Sequence, residues 1–194
     1  MFIALTGLHC SGKSYFSSNL PPEFGYTVFR KCDIVETIFE REGTENYSDS
    51  HKWYNDQFEN NPNNITIKII EEVASFGDNV ILDAVHSNLE WEIIKTIRPD
   101  AKLIEFVTPK SVREKRWESK YVLDDKDASR INFWHNSKAQ SRCLLTEVDW
   151  VFNGCASLNF NNECFREFLE FNKSKCFEDD KQKSIDKIKV IKEN

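Results

Sequence analysis

The sequence predicts a three-layer α/β/α sandwich built on a five-stranded parallel sheet, with a small helical lid. Three observations lead there. Five short apolar, β-prone runs are spread along the chain at residues 2–6, 26–30, 79–83, 102–107 and 148–153. Helix-length segments fill the gaps between them. The first run leads directly into a loop bracketed by glycines, Gly7-Leu8-His9-Cys10-Ser11-Gly12-Lys13-Ser14. Strands alternating with helices form βαβ units, which pair in parallel with right-handed crossovers.

Each element has its own warrant. Runs one, three, four and five are almost continuously apolar, as strands covered on both faces must be. A helix begins at about Asp33, carrying Ile34, Ile38 and Phe39. Ile65, Ile69, Val73 and Phe76 recur at helical spacing and mark one buried face, with Asn63 or Asn64 as its cap and Gly77 at its end. Trp91, Ile94 and Ile97 mark another helix, which must stop before Pro99. Between Asp33 and Asp83, Trp53, Tyr54 and Phe58 either stack on a base or pack an additional helix onto the core. Composition shifts at about residue 172. Residues 1–172 form one domain, with a lid at about 112–136, and 173–194 form a charged terminal helix or tail.

Composition narrows the function. The 194 residues are 40% hydrophobic and 30% charged, with a net charge of −6. That is enough chain for a full core, and no apolar run approaches the ~20 residues of a membrane span. The acidic balance argues against a general nucleic-acid surface, although a local basic groove stays compatible with it. Cys10, Cys32, Cys143, Cys155, Cys164 and Cys176 form no C-x-x-C pair, so reduced thiols and a cytoplasmic location are expected. The start of the chain shows no signal-peptide pattern. A monomer and a homodimer are equally open.

The glycine-bracketed loop carries the chemistry. Gly7-x-x-x-x-Gly12-Lys13-Ser14 after a strand and before a helix is a phosphate-binding P-loop. Its glycines let successive N–H groups converge on phosphate oxygens. Lys13 reaches the β- and γ-phosphates, and the Ser14 hydroxyl ligates Mg²⁺. Gly7, His9, Cys10, Ser11, Gly12, Lys13, Ser14 and Tyr15 are therefore the candidate ATP-binding set.

Other marks select among P-loop classes. The chain lacks the D-x-x-G and N-K-x-D pairs of GTPases. Ala84 follows Asp83 where motor ATPases place a water-activating glutamate. A kinase must withhold its γ-phosphate from water, so this pattern favours a kinase. Asp83 ends an apolar strand, and Asp33 follows the second run; both placements project a carboxylate toward the phosphates. Asp33 is either catalytic or a helix N-cap. Arg113, Lys115, Arg116, Lys120, Lys126 and Arg130 form a cationic region suited to a lid, with Arg116 and Arg130 the candidate phosphate clamps. His51 and His86 are candidate contacts to an acceptor phosphate, and His9 a lid contact.

Over roughly residues 1–170 this pattern resembles the dephospho-CoA kinase and nucleoside monophosphate kinase group. The likeness rests on the P-loop, on Asp33, on Arg130-Ile131 in a lid-following helix, and on Asp149-Trp150-Val151-Phe152-Asn153-Gly154. Asp83-Ala84-Val85-His86-Ser87-Asn88-Leu89-Glu90 resembles the Asp-Gly-x-Arg-Ser-x-x-Glu run of an archaeal branch, with His86 in place of arginine. The resemblance implies that Asp33 orients or deprotonates the acceptor hydroxyl and that Asp83 holds Mg²⁺ through water. It further implies that Arg116 and Arg130 clamp phosphates, and that Asn153 and Gly154 line the adenine pocket. The chain departs from it at Lys31-Cys32-Asp33, where an Asp-Ala-Asp triplet is usual. The expected activity is transfer of the ATP γ-phosphoryl to a small nucleotide-like acceptor. The alternatives are a hydroxyl of DNA or RNA as acceptor, or a regulatory module that binds nucleotide without turnover.

Overall fold

A computed structural model describes residues 1–43, 46–120 and 147–173. Five strands form one parallel sheet in the order β2-β3-β1-β4-β5: β1 (Phe2–Thr6), β2 (Thr27–Arg30), β3 (Val80–Asp83), β4 (Lys102–Val107) and β5 (Trp150–Asn153). β1 lies at the centre, with Leu5 beside Asp83 of β3 and beside Ile104 of β4. All five expected strands are present. The edge position of β2 and β5 explains why they are less buried than β1 and β3. β5 was expected to be covered on both faces, but only its Phe152 is buried.

Because side chains alternate across a strand, the sheet has two distinct apolar faces. Phe2, Ala4, Val80, Leu82 and Leu103 face helices α2 (Lys31–Glu42), α4 (Pro62–Ala74) and α5 (Asn88–Ile97), which contribute Ile34, Ile38, Ile69, Val73 and Ile94. On the opposite face Phe16 of α1 (Lys13–Ser18) packs against Phe106 and Phe152, with ring centroids 5.3 and 5.5 Å away. Helices thus cover both sides of the sheet, as the sandwich requires.

The structure corrects two local readings and decides a third. Asn61, not Asn63 or Asn64, caps α4: its side chain accepts from the Asn64 N–H, and Pro62 takes the first helical position, where its missing donor is harmless. Phe76 lies beyond the end of α4, exposed, with its ring 4.8 Å from Phe29. Trp53 and Tyr54 belong to a further helix, α3 (Ser50–Asn60), capped by Asp49. Trp53 is buried against Phe39, and Tyr54 and Phe58 pack on each other, so these rings serve the core.

The chain divides into two compact units, Met1–Ala156 and Ser157–Asn194. In the second, residues 158–173 form a helix, α7, on which Phe165 and Phe168 stack with centroids 6.0 Å apart. α6 (Lys110–Lys120) lies in the first unit. The expected lid therefore begins as regular helix at 112–120, while its remainder, with Lys126 and Arg130, and the tail at 174–194 lie outside the described residues. Among the described residues no helix is long and apolar enough to cross a membrane.

Candidate active site

The P-loop is built by backbone conformations that its sequence permits. Gly7 and Gly12 have φ of 130° and 106°, values that L side chains rarely adopt. A Cβ on Gly7 would also stand 2.5 Å from the Phe106 carbonyl oxygen. Cys10 shares the left-handed region at φ 59°. Lys13 folds back over the loop it follows, its Nζ donating to the Gly7 and Leu8 carbonyls at 2.7 and 3.1 Å. The ammonium is thus held buried against the loop.

Side chains from distant elements clamp this loop. Thr108 Oγ1, just beyond β4, donates to the Ser11 carbonyl at 2.8 Å. Arg116 on α6 donates to the Cys10 carbonyl at 3.1 Å and to the Gly154 carbonyl at 2.8 Å. Arg116 therefore fastens α6 to the P-loop and to the turn after β5. Gly154 leaves no room for a side chain, since a Cβ there would collide with the Ser11 carbonyl oxygen and Thr108 Oγ1. Asn153 stabilises the same turn, its Oδ1 accepting from the Cys155 N–H at 2.9 Å. Tyr15 is largely exposed. Arg113 is buried rather than facing outward: its Nε donates to the Thr108 carbonyl, and burial pushes its pKa down.

The two expected carboxylates differ. Asp83, at the end of β3 and beside β1, is buried and accepts a hydrogen bond from Ser17 Oγ of α1 at 3.0 Å. Asp33 is exposed in the first turn of α2 and pairs with Arg30 Nη2 at 2.7 Å. It does not cap the helix, because Arg30, three residues before it, occupies the N-cap position. The cap alternative for Asp33 is therefore corrected.

Sequence reasoning missed one cluster. Lys31 and Glu90 are both buried, with Lys31 Nζ 3.0 Å from each Glu90 carboxylate oxygen. The ammonium also lies 5.2 Å from the Tyr54 ring centroid. Burial pulls the Lys31 pKa down, but Glu90 and Tyr54 together raise it above the ordinary value, so Lys31 stays charged. Glu90 Oε2 also accepts from the backbone N–H of His86 at 3.1 Å, and Ser87 Oγ caps the helix carrying Glu90. The Glu90 carboxylate thereby joins the start of α2 to the loop after β3. The i-to-i+4 step from His86 to Glu90 was visible in the sequence; the partner 59 residues earlier was not.

His86 extends from that loop over the P-loop. Its ring stacks on His9 at 6.2 Å, and Trp117 of α6 meets His9 edge-on at 6.3 Å. His9 thus meets α6, which begins the segment expected to form a lid. Burial, with Lys31, Lys13 and His9 nearby, keeps the His86 pKa well below its usual 6.5. His51, by contrast, is exposed on α3.

Comparison with known proteins supports the same fold. No family model matches this chain. A UPF0200 protein of Methanothrix thermoacetophila is 25% identical over 173 residues, 87% of this chain and 92% of that one. A shikimate kinase from Bacteroides thetaiotaomicron superposes with a TM-score of 0.59 at 15% identity, covering 88% of this chain and 98% of that one. The Mycobacterium tuberculosis APS kinase, in complex with AMPPNP and APS, gives 0.59 at 16% identity, with 87% and 96% covered. A gluconokinase from Sinorhizobium meliloti gives 0.56 at 14%, with 91% and 95% covered. The five-stranded parallel sheet with its helices matches the fold of these P-loop kinases.

Proposed function

We propose that this chain is an ATP- and Mg²⁺-dependent kinase that transfers the γ-phosphoryl group to a small nucleotide-like acceptor. One observation carries the reading. Lys13 lies buried in a loop held by β4, α6 and the turn after β5, while Asp83 stands one strand away, followed by Ala84 rather than a glutamate. That arrangement grips a triphosphate and has nothing at position 84 to activate water.

The residues fit a Mg²⁺ ion of the kind phosphates bring with them. Ser14 presents an exposed hydroxyl at the start of α1, and Asp83 is steadied by Ser17 on the same helix. Among the described residues no group of three or more His, Cys, Asp and Glu forms a self-sufficient metal cage. Mg²⁺ in such sites takes one or two protein ligands and otherwise water and phosphate oxygens, and it neutralises charge on the β- and γ-phosphates.

The remaining work falls to the chain. Loop amides and Lys13 hold the phosphates, and Arg116 keeps the loop and the Gly154 turn together beside the base. Asp33, exposed in the first turn of α2, is the candidate to orient the acceptor. Arg130 remains the candidate second clamp. The neighbours named as shikimate kinase, APS kinase and gluconokinase support a small-molecule acceptor for a fold of this design.

The test is direct. Purified protein with γ-labelled Mg·ATP and a panel of nucleotides, nucleosides and polyols should pass label to at least one acceptor faster than to water. ATP binding without any transfer would reject the kinase in favour of a binding module.

A further inference from the structure

One carboxylate joins two segments that lie far apart in the sequence. Glu90 of α5 is buried, and both of its oxygens lie 3.0 Å from Nζ of Lys31, the first residue of α2. Its Oε2 also accepts from the backbone N–H of His86 at 3.1 Å, in the loop that follows β3. Both segments carry a candidate carboxylate of the site. Asp33 lies in the same first turn of α2 as Lys31, and Asp83 ends β3 just before the loop. The His86 ring in turn stacks on His9 of the P-loop, with centroids 6.2 Å apart. A bridge therefore runs from α2 through Glu90 and the loop after β3 to the P-loop.

Stability alone does not call for such a bridge. Each charge taken out of water loses its hydration, and apolar side chains of similar volume often replace a buried ion pair at no loss. What apolar side chains lack is direction. The Glu90 carboxylate meets the Lys31 ammonium and the His86 N–H together, so one group fixes the place of both. The far ends of the bridge are held as well. Lys31 Nζ lies 3.4 Å from the Tyr54 hydroxyl of α3. Val85, next to His86, donates its N–H to the Leu5 carbonyl of β1 at 2.9 Å, and its carbonyl accepts from Thr6 Oγ1 at 2.9 Å. The loop is thus tied to the central strand, and the first turn of α2 is tied to the loop through Glu90.

We propose that Glu90 is a positioning residue for phosphoryl transfer: through Lys31 and the His86 backbone it sets the spacing between the first turn of α2, with Asp33, and the loop that follows Asp83. The proposal rests on the kinase reading above and concerns how the acceptor side of that site is held in register with the P-loop. Among the described residues Glu90 hydrogen-bonds to no residue of the P-loop, so its loss acts on turnover and leaves the grip on ATP alone. Misplacing a reacting group by about 1 Å is enough to cost on the order of 10²-fold in rate.

The test separates geometry from stability. Lys31→Met/Glu90→Leu removes both charges and the bridge and leaves apolar volume in their place. Lys31→Gln/Glu90→Gln also buries no charge, but keeps an amide oxygen for the His86 N–H and an amide on α2 to meet it. Thermal midpoints are read by circular dichroism, ATP binding by calorimetry, and kcat and acceptor KM with γ-labelled Mg·ATP and whichever nucleotide, nucleoside or polyol the wild-type protein phosphorylates. The Met/Leu variant should keep its midpoint and its ATP dissociation constant while kcat falls roughly 10- to 100-fold, and the Gln/Gln variant should recover part of that loss. Glu90→Asp keeps the charges paired through a shorter arm, and gives the same reading should the Met/Leu variant fail to fold: kcat lowered with ATP binding intact. Wild-type kcat in a folded Met/Leu variant, or in Glu90→Asp where that variant does not fold, would reduce the pair to a structural contact and overturn the proposal. A Gln/Gln variant no more active than the Met/Leu variant would overturn it too. So would a fall in kcat matched by an equal loss of ATP affinity, which would show that the bridge shapes the P-loop instead. ATP bound by the wild-type protein with no transfer to any acceptor would overturn the kinase reading itself, and this proposal with it.

Discussion

At the residue scale, Lys13 and Asp33 make opposite demands on experiment. Lys13 is buried with its charge held by two loop carbonyls, so its removal deletes a contact prepared for the phosphates. Lys13→Ala should cost about 3 kcal/mol of barrier, on the order of 10²-fold in turnover, while circular dichroism shows an unchanged fold. Near-native turnover would remove the P-loop from the mechanism. Asp33 is exposed, and its one ion pair is a surface pair of small worth. Asp33→Asn should therefore leave the thermal midpoint almost unmoved and lower turnover with little change in ATP affinity. A stable, fully active variant would strip Asp33 of any catalytic part. The buried pair behaves differently again. Glu90→Leu leaves the Lys31 ammonium buried and unpaired, and should destabilise the protein by about 3–5 kcal/mol. The double variant Lys31→Met/Glu90→Leu should regain most of that in denaturant titration, because two apolar groups of similar size leave no charge behind.

At the element scale, α6 and the turn after β5 are joined to the P-loop through backbone carbonyls. Arg116 is the sole cation on α6 seen bonded to both the P-loop and the Gly154 turn among the described residues. Arg116→Ala removes two charge-assisted bonds worth about 1.5–3 kcal/mol each in general, and should weaken ATP binding by roughly 10-fold or more by calorimetry. An unchanged dissociation constant would show that the loop holds its shape without α6. Gly154→Ala probes the same junction from the other side. Its methyl has no space between Ser11 and Thr108, so either the P-loop or the turn must shift. Overpacking of this kind costs about 1–3 kcal/mol, and here it should appear as lost ATP affinity together with a lower midpoint.

At the scale of the whole molecule, three partly buried groups shape stability against pH. His86 titrates well below its usual value in the folded state, for the burial and the Lys31, Lys13 and His9 charges already described. The unfolded chain therefore takes up a proton first, near pH 6.5, and stability must fall as pH drops below that point toward the folded value. At the other end, burial raises both Tyr26 and Tyr54 to about 12, with Glu90 adding to the effect at Tyr54. Their unfolded forms ionise near pH 10, so stability falls again as pH rises from 10 through 12. Midpoints measured across pH should trace a plateau bounded near 6.5 and 10. His86→Leu should flatten the acid side, and an acid limb unchanged by that substitution would place its origin elsewhere.

Much of this architecture is local and was readable for that reason. The strands at residues 2–6 and 102–107 are runs whose apolar content alone demands burial, and the P-loop is a contiguous string whose glycines and lysine act on their immediate neighbours. Ile65, Ile69 and Val73 announce a helix face through period alone. What the sequence left open are pairings between residues far apart in the chain. Lys31 meets Glu90 across 59 residues, Arg116 meets Cys10 across 106, and Thr108 meets Ser11 across 97. No period or motif encodes such contacts, because they exist only once the order β2-β3-β1-β4-β5 has brought separate strand ends to one edge of the sheet. The sequence by itself determined a parallel α/β sheet with a glycine-bracketed loop of P-loop sequence after its first strand. Only the tertiary structure decided which charges are already neutralised beside that loop, and charge neutralisation depends on distance in space rather than distance along the chain.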